Sequence, residues 1–412
     1  MAAMPHNARV LCLRTDDEIV REMRRLNPDE AGIRHMLPKA RHYLVKLANV
    51  RTPIAHILKE TFLSSGGEAV VSRDVITAKV SHTDVMLSGT RKQFQRAFTN
   101  LLEQGFGCDK LAGEIEAAIR HFDSPAAIPD PHNVRDERIR PLFEAIGKRT
   151  LVMGILNVTP DSFSDGGKFV DTATAVTHGV GMAQQGADVI DVGGESTRPG
   201  SEPVPAQVEI DRVVPVIRGI VAALEVPISV DTCKAEVARA ALDAGASIVN
   251  DISGASFDSD MPALIAERRC PAILMHIKGT PGDMQANPTY DDLLGEVSAY
   301  LAERVRALVE AGVDDRLLLI DPGIGFGKTV EHNLELLRRL RELKSIGRPI
   351  VVGTSRKATI GRVLGDLPVE ERIEGTAATV AISIANGADV VRVHDVREMS
   401  RVARMTDAIV RV

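Results

Sequence analysis

From Leu151 onward the chain repeats one pattern eight times: a short apolar run, a polar or glycine-bearing loop, and a segment of helical periodicity. The apolar runs fall at 151–156, 188–192, 227–230, 247–249, 271–275, 317–320, 349–352 and 390–393. Runs this short, bounded by turn residues, fit strands buried on both faces of a parallel sheet. Helical patterns follow at 172–185, 205–224, 235–244, 260–267, 290–311, 330–343, 373–386 and 396–411. Three of them end in Gly-Ala just before the next run, at Gly186, Gly245 and Gly387, where glycine suits a left-handed cap. Eight strand–helix units in about 260 residues predict a (β/α)8 TIM barrel over residues 149–412. A doubly wound open sheet is the alternative, and it more often has fewer units.

The full length of 412 residues exceeds one ordinary core, so a second domain is expected upstream. Residues 1–123 read as a smaller α+β domain, with strands at 8–14, 42–48, 75–80 and 83–87 and helices at 16–26, 28–36, 54–63, 91–104 and 108–122. It holds no catalytic motif. His35, His42 and His56 share no helical face, so they are expected to be surface or core residues rather than metal ligands. Docking, oligomerisation and regulation all stay open as its role. Residues 124–148 carry Pro125, Pro129, Pro131 and Pro141 and are expected to be a linker, with a short segment closing the bottom of the barrel. A formal charge of −6 argues against a nucleic-acid binder that relies on bulk positive charge. No apolar run approaches the ~20 residues that span a bilayer, and Asp16 and Asp17 follow too soon for a secretory signal. The four cysteines are scattered, with no C-x-x-C, which fits reduced thiols in a cytoplasmic protein and no zinc site.

A barrel of this kind carries its chemistry just past the C-terminal ends of its strands. The residues there are Asn157; Glu195, Thr197 and Arg198; Asp231; Asn250 and Asp251; His276; Asp321; Ser355, Arg356 and Lys357; and Arg392, His394 and Asp395. Any one could cap a helix, Asp231 and Asn250 among them; capping does not account for the whole set. Asp231, Asn250, Asp321 and Lys357 suit a planar heterocycle with an amino-lactam edge, such as a pterin or purine, because a carboxylate accepts two parallel N–H bonds. Arg392, His394, Arg198 and Asn157 suit an anion, and a diphosphate would bring magnesium to oxygen ligands such as Asn157 and Asp165. Phe163 stands among hydroxyls and carboxylates in 158–167 and is expected to be a lid residue. Residues 325–329, GFGKT, imitate a P-loop, but position 322 is Pro322 where that loop needs glycine. Gly323 and Gly325 are expected instead to let the backbone pass close to a flat ligand.

Seven motifs then stand in order: NVTPDSFSDGG at 157–167, DVGGESTRPG at 191–200, SVDT at 229–232, NDISG at 250–254, DPGIGF at 321–326, SRK at 355–357 and RVH at 392–394. Together they resemble the dihydropteroate synthases. The resemblance covers the barrel and implies condensation of 6-hydroxymethyl-7,8-dihydropterin diphosphate with p-aminobenzoate, releasing pyrophosphate. It implies that Asp231, Asn250, Asp321 and Lys357 hold the pterin, lined by Met275, Gly325 and Phe326. It implies a diphosphate site of Asn157, Thr197, Arg198, Arg392 and His394, with Mg2+ at Asn157 and Asp165. The p-aminobenzoate site would comprise Phe163, Thr197, Arg198, Pro199, Lys357 and Ala358, and catalysis would rest chiefly on Asp231, Lys357, Arg392 and His394. A homodimer is also implied. One departure is Ala358, where many relatives have a serine that helps bind the aminobenzoate carboxylate. The alternative within the same resemblance is a pterin-dependent corrinoid methyltransferase, which should not need the Phe163 and Arg198 loops or the Arg392/His394 anion site.

Overall fold

The structure is a computed structural model and describes residues 6–77, 79–124, 136–159, 172–198 and 200–411. Phe163, Asp165 and Pro199 lie outside the described residues. The chain divides into two compact units, Met1–Asp123 and Ser124–Val412.

The first unit is α+β. Strands β1 (His42–Arg51), β2 (Glu68–Val71) and β3 (His82–Thr90) form an antiparallel sheet in the order β1-β3-β2. Helices Thr52–Ser64, Arg91–Leu102 and Cys108–Asp123 bury Leu58, Phe62, Phe94, Leu101 and Ile115 with Leu87 of the sheet. Asp16, Arg41, Tyr43, Arg91 and Asp123 form a network in which the Tyr43 hydroxyl donates to Asp123 at 2.6 Å. Two sequence expectations fail here. Residues 8–14 alternate but form no strand, and Val10 is 98% exposed; alternation without a partner edge gives no ladder. The described residues among 75–80 form no strand either. Ser72 accepts from the Asp74 N–H at 3.3 Å and closes a 3-10 turn at Arg73–Val75, while Glu68–Val71 pairs with β3 instead. The histidines make local bonds: His56 Nε2 lies 3.1 Å from the Val75 carbonyl and His42 Nε2 lies 3.3 Å from Ser88 Oγ.

The second unit is the (β/α)8 barrel. Its strands are β4 (Leu151–Asn157), β5 (Val189–Gly193), β6 (Ile228–Asp231), β7 (Ile248–Asp251), β8 (Ala272–Met275), β9 (Leu318–Asp321), β10 (Val351–Val352) and β11 (Val390–Val393). All pairings are parallel in the order β10-β11-β4-β5-β6-β7-β8-β9, and a bridge between Ile320 and Ile350 closes the ring. The eight expected helices are present. A short additional helix, Ala358–Val363, follows β10. No described helix is long and apolar enough to cross a membrane.

Residues 136–148, within the expected linker, supply the expected segment across the bottom of the barrel. A 3-10 turn, Glu137–Ile139, leads into helix Arg140–Ala145. Ile139, Leu142, Phe143 and Ile146 pack on Met153, Val189, Ile273 and Leu319 at the N-terminal ends of the strands. Asp136 accepts from Ser247 Oγ at 2.5 Å, and Arg138 donates to the Gly245 carbonyl at 3.0 Å. This plug covers the N-terminal end of the barrel with apolar side chains, and the polar strand-end residues lie at the opposite end. Phe143→Ala is expected to destabilise the fold by about 3–5 kcal/mol, since the cavity beneath the strands cannot collapse. Urea unfolding measures it; an unchanged midpoint would mean that the plug is dispensable.

Candidate active site

At the open end, side chains from facing strands converge. In the register, Asp191 of β5 lies beside Ser229 of β6, Asp231 beside Asn250, and Met275 beside Asp321. Arg392, from β11, reaches across the barrel. Its Nε donates to Asp191 Oδ2 at 2.6 Å and its Nη2 to Asp231 Oδ2 at 2.6 Å. Asn250 Nδ2 donates to the same Asp191 oxygen at 3.1 Å. Burial pushes the Asp231 carboxyl up to about 7, with Arg392 opposing and the Asp191 charge reinforcing the shift. The two carboxylates hold Arg392 firmly cationic against the cost of its own burial.

The second wall comes from β8, β9 and the loop after β10. Asp321 Oδ1 accepts from the Gly323 N–H at 2.7 Å, and burial raises its pKa. Lys357 Nζ donates to the Ile324 carbonyl and stands 4.2 Å from the Phe326 ring centroid, within cation–π range. Burial pulls Lys357 down to about 8, while the Asp321 charge pulls it back. Ile252, Met275, Ile277 and Met284, with Cys233 and Phe326 packed on them, make the apolar lining. Gly323 has φ +67°, and a Cβ there would sit 1.9 Å from the His276 carbonyl oxygen. Its requirement is therefore close packing of two protein loops, not the expected approach of a ligand. At Gly325, with φ +83°, a Cβ would come within 3.0 Å of Lys357 Cδ, so the glycine leaves room for that lysine.

The third side carries the basic groups. The His394 N–H donates to Ser355 Oγ at 3.1 Å, and its Nδ1 lies 3.0 Å from the same oxygen. Burial pushes His394 down to about 4, and Arg392, Arg356 and Arg198 add to the shift. These three guanidiniums are therefore in electrostatic reach of one imidazole. Asn157 ends β4 beside Gly193, where a Cβ would be 3.5 Å from Asp231 Cβ and 3.9 Å from Asn157 Oδ1. Thr197 is half-buried and Arg198 exposed.

The sequence pattern of the family described as pterin binding enzyme matches residues 153–394. The chain belongs to this family. A Synechocystis protein named dihydropteroate synthase is 50% identical over 263 residues, which are 64% of this chain and 91% of the relative. A solved structure of Xanthomonas albilineans dihydropteroate synthase with 4-aminobenzoic acid superposes with TM-score 0.61 at 44% identity, covering 65% of this chain and 95% of that one. A Haloferax volcanii protein named "Probable bifunctional folylpolyglutamate synthase/dihydropteroate synthase" is 41% identical over 388 residues, 93% of this chain and 45% of the relative. A match of that length reaches into the first unit.

Within this pterin-binding enzyme not every polar strand end faces a ligand. Glu195 Oε2 pairs with Lys234 Nζ at 2.5 Å, and Lys234 also pairs with the fully buried Glu209 at 2.7 Å. Glu195 Oε1 accepts from the Val204 N–H at 3.2 Å, so the residue secures the loop after β5. Asp251 takes the Ser253 N–H and hydroxyl at 2.7 and 2.6 Å, a local cap. Arg356 is turned to Asp395 by two bonds. Ala358 is exposed and starts the short helix after Lys357. The residue that sequence reasoning missed is Asp191. It appears there only as the first letter of a motif, yet it is fully buried and joins Arg392 to Asn250. Its signal was a carboxylate in the middle of the apolar run 188–192.

Proposed function

We infer that the barrel is a transferase that condenses 6-hydroxymethyl-7,8-dihydropterin diphosphate with p-aminobenzoate, the dihydropteroate synthase reaction. The convergence of Asp231, Asn250, Asp321 and Lys357 with Arg392 at the open end carries this reading. Asp231 and Asp321 accept N–H groups from the pterin edge, Asn250 adds an amide, and Lys357 donates to a ring carbonyl or nitrogen. Phe326 and Met275 face the ring. Arg392, His394, Asn157, Thr197 and Arg198 take the diphosphate. The C–O bond to diphosphate breaks first, and the electron-rich ring stabilises the cationic methylene that remains. The aromatic amine, already neutral at pH 7, then forms the C–N bond and releases a proton to solvent. Little general-base help is needed, so catalysis rests on leaving-group stabilisation, orientation and exclusion of water. Thr197, Arg198, Lys357 and Ala358, with Phe163 and Pro199, would receive p-aminobenzoate. Only the Ala358 backbone N–H remains there to stand in for the absent serine.

Magnesium belongs to the same proposal. The described residues hold no group of three or more His, Cys, Asp or Glu that could ligate a metal. The ion would be carried mainly by diphosphate oxygens, with the Asn157 amide oxygen as one protein ligand and Asp165 as a second. When bound, it would neutralise charge on the leaving diphosphate. A cytoplasmic homodimer is proposed on the resemblance; exposed Ile382 and Met405 on the mutually packed helices Ile373–Ala385 and Val396–Val410 support a buried face between subunits. The methyltransferase reading is disfavoured by the Arg392/His394 end of the pocket.

The test is pyrophosphate release by purified chain given both substrates and magnesium. No release above background, with the pterin diphosphate verified, rejects the reading. Its pH dependence is specific. Asp231 must be ionised to accept N–H groups, and its pKa is pushed up to about 7, so kcat/KM is expected to fall below that pH. Lys357 is cationic only below about 8, so a second fall is expected above it. A profile flat from pH 6 to 9, roughly one unit beyond each limb, contradicts both assignments.

A further inference from the structure

In the P-loop look-alike at 325–329, Gly327, Lys328 and Thr329 have no place in the reaction as derived, yet the loop that contains them is anchored residue by residue. Four successive carbonyls accept from side chains. Ile324 takes Lys357 Nζ, Gly325 takes Gln285 Nε2 at 2.9 Å, Phe326 takes Lys328 Nζ at 3.0 Å and Gly327 takes the Tyr290 hydroxyl at 2.8 Å. Lys328 is the member with the least reason to be there. It is 2% exposed, and its Nζ also lies 2.8 Å from Nδ1 of His276, which is 4% exposed. His276 is itself fixed: its N–H donates to the Asp321 carbonyl at 3.0 Å, and its ring meets Tyr300 edge-on with centroids 4.9 Å apart.

A lysine is a poor packing residue, because burying an ammonium costs several kcal/mol that a methionine of similar length would not incur. Burial lowers the pKa of both members of this pair. A neutral amine has N–H groups enough to serve the Phe326 carbonyl and His276 Nδ1 together, with the imidazole proton on Nε2. The two acceptors belong to the segments after β8 and β9, and one of them is the backbone of the residue whose ring faces Lys357.

We propose that Lys328 is a positioning residue for the pterin half of the reaction. By tying the Phe326 carbonyl to His276, it fixes the Phe326 ring as the face on which a flat heterocycle rests beside Lys357. The proposal rests on the pterin pocket inferred above. Lys328 touches no reacting atom in this role and acts through Phe326.

The experiment uses the full chain, with 6-hydroxymethylpterin and inorganic pyrophosphate as separate binding probes. Lys328→Met is expected to weaken pterin binding about tenfold or more, the loss of one good hydrogen-bonded contact, while pyrophosphate binding stays within about twofold. In a Phe326→Ala background the same substitution is expected to add nothing. Pterin affinity unchanged in Lys328→Met, equal losses for both probes, or a full additional loss in the Phe326→Ala background would each overturn the proposal. Should Lys328→Met not fold, His276→Leu removes the second acceptor and is expected to show the same selective loss; unchanged pterin binding there overturns it equally. Wild-type chain that binds pyrophosphate but no pterin rejects the pocket itself, and this proposal with it.

Discussion

Asp191→Ala is expected to lower kcat/KM by about a hundredfold to a thousandfold, although Asp191 is assigned no contact with substrate. The argument is electrostatic. Arg392 is held by two carboxylates, each at 2.6 Å, and Asp191 is the fully buried one. Removing one partner of a buried pair costs about 3–5 kcal/mol, because the other charge is left uncompensated. Asp231 then bears the guanidinium alone and is drawn from the pterin edge, while Asn250 loses the acceptor that orients its amide. Both substrate halves should suffer together. Asp191→Asn keeps an oxygen for Asn250 but not the charge, and should lose less. Steady-state kinetics beside thermal melts separate misplacement from unfolding. A folded Asp191→Ala chain with kinetics within about threefold of wild type would show that Arg392 needs no second anchor.

Lys357→Met should separate activity from stability. The ammonium is the cation set against Asp321, and its loss is expected to cost about 2–4 kcal/mol of transition-state stabilisation, roughly 30-fold to 1000-fold in kcat/KM. Stability should hold or rise. Burial pulls Lys357 down to about 8 from 10.5, so the folded state disfavours its charged form. The sign follows from linkage. Between those values the unfolded chain binds more protons, so stability rises with pH; below about 8 the penalty is present in full. Methionine removes it. Urea unfolding at pH 7, with kinetics at the same pH, tests the split. Equal loss of stability and rate would make Lys357 a structural residue.

The barrel was legible in the sequence because its signal is repeated. Eight apolar runs of the right length, each followed by helical periodicity, leave few architectures, and the strand ends then supply a set of polar residues that includes Asn157, Asp231, Asn250, Asp321, Lys357, Arg392 and His394 together with Glu195, Asp251 and Arg356. The first unit lacked that redundancy. Residues 8–14 alternate as a strand should, but a strand exists only where another edge accepts its hydrogen bonds, and no window of sequence contains that edge. The sequence predicts a segment closing the bottom of the barrel within 124–148, but not which residues form it: four apolar residues in a short helix become a barrel floor only once the ring of strands exists. Asp191 and Glu195 show the same limit at the site. They lie four residues apart in one motif, yet one is bound to Arg392, 201 residues away, and the other to Lys234 on the next strand's loop. Sequence spacing identifies polar residues at strand ends. Which of them face a ligand depends on pairings made across the barrel.

The wall formed by 323–327 bears on how the pocket could change under selection. Four of its carbonyls are tied to side chains, three from elsewhere in the barrel and one from Lys328 at the loop's own end. A Cβ at Gly323 would strike the His276 carbonyl, and one at Gly327 would come within 2.4 Å of the Lys278 carbonyl. A substitution here disturbs the loop before it disturbs a bound molecule. An inhibitor that rests on this wall is therefore expected to meet few escape variants, whereas one that leans on the exposed Arg198 loop contacts residues with far more freedom to vary. Selection for growth under two such inhibitors, followed by sequencing of the survivors, would show whether resistance avoids the wall.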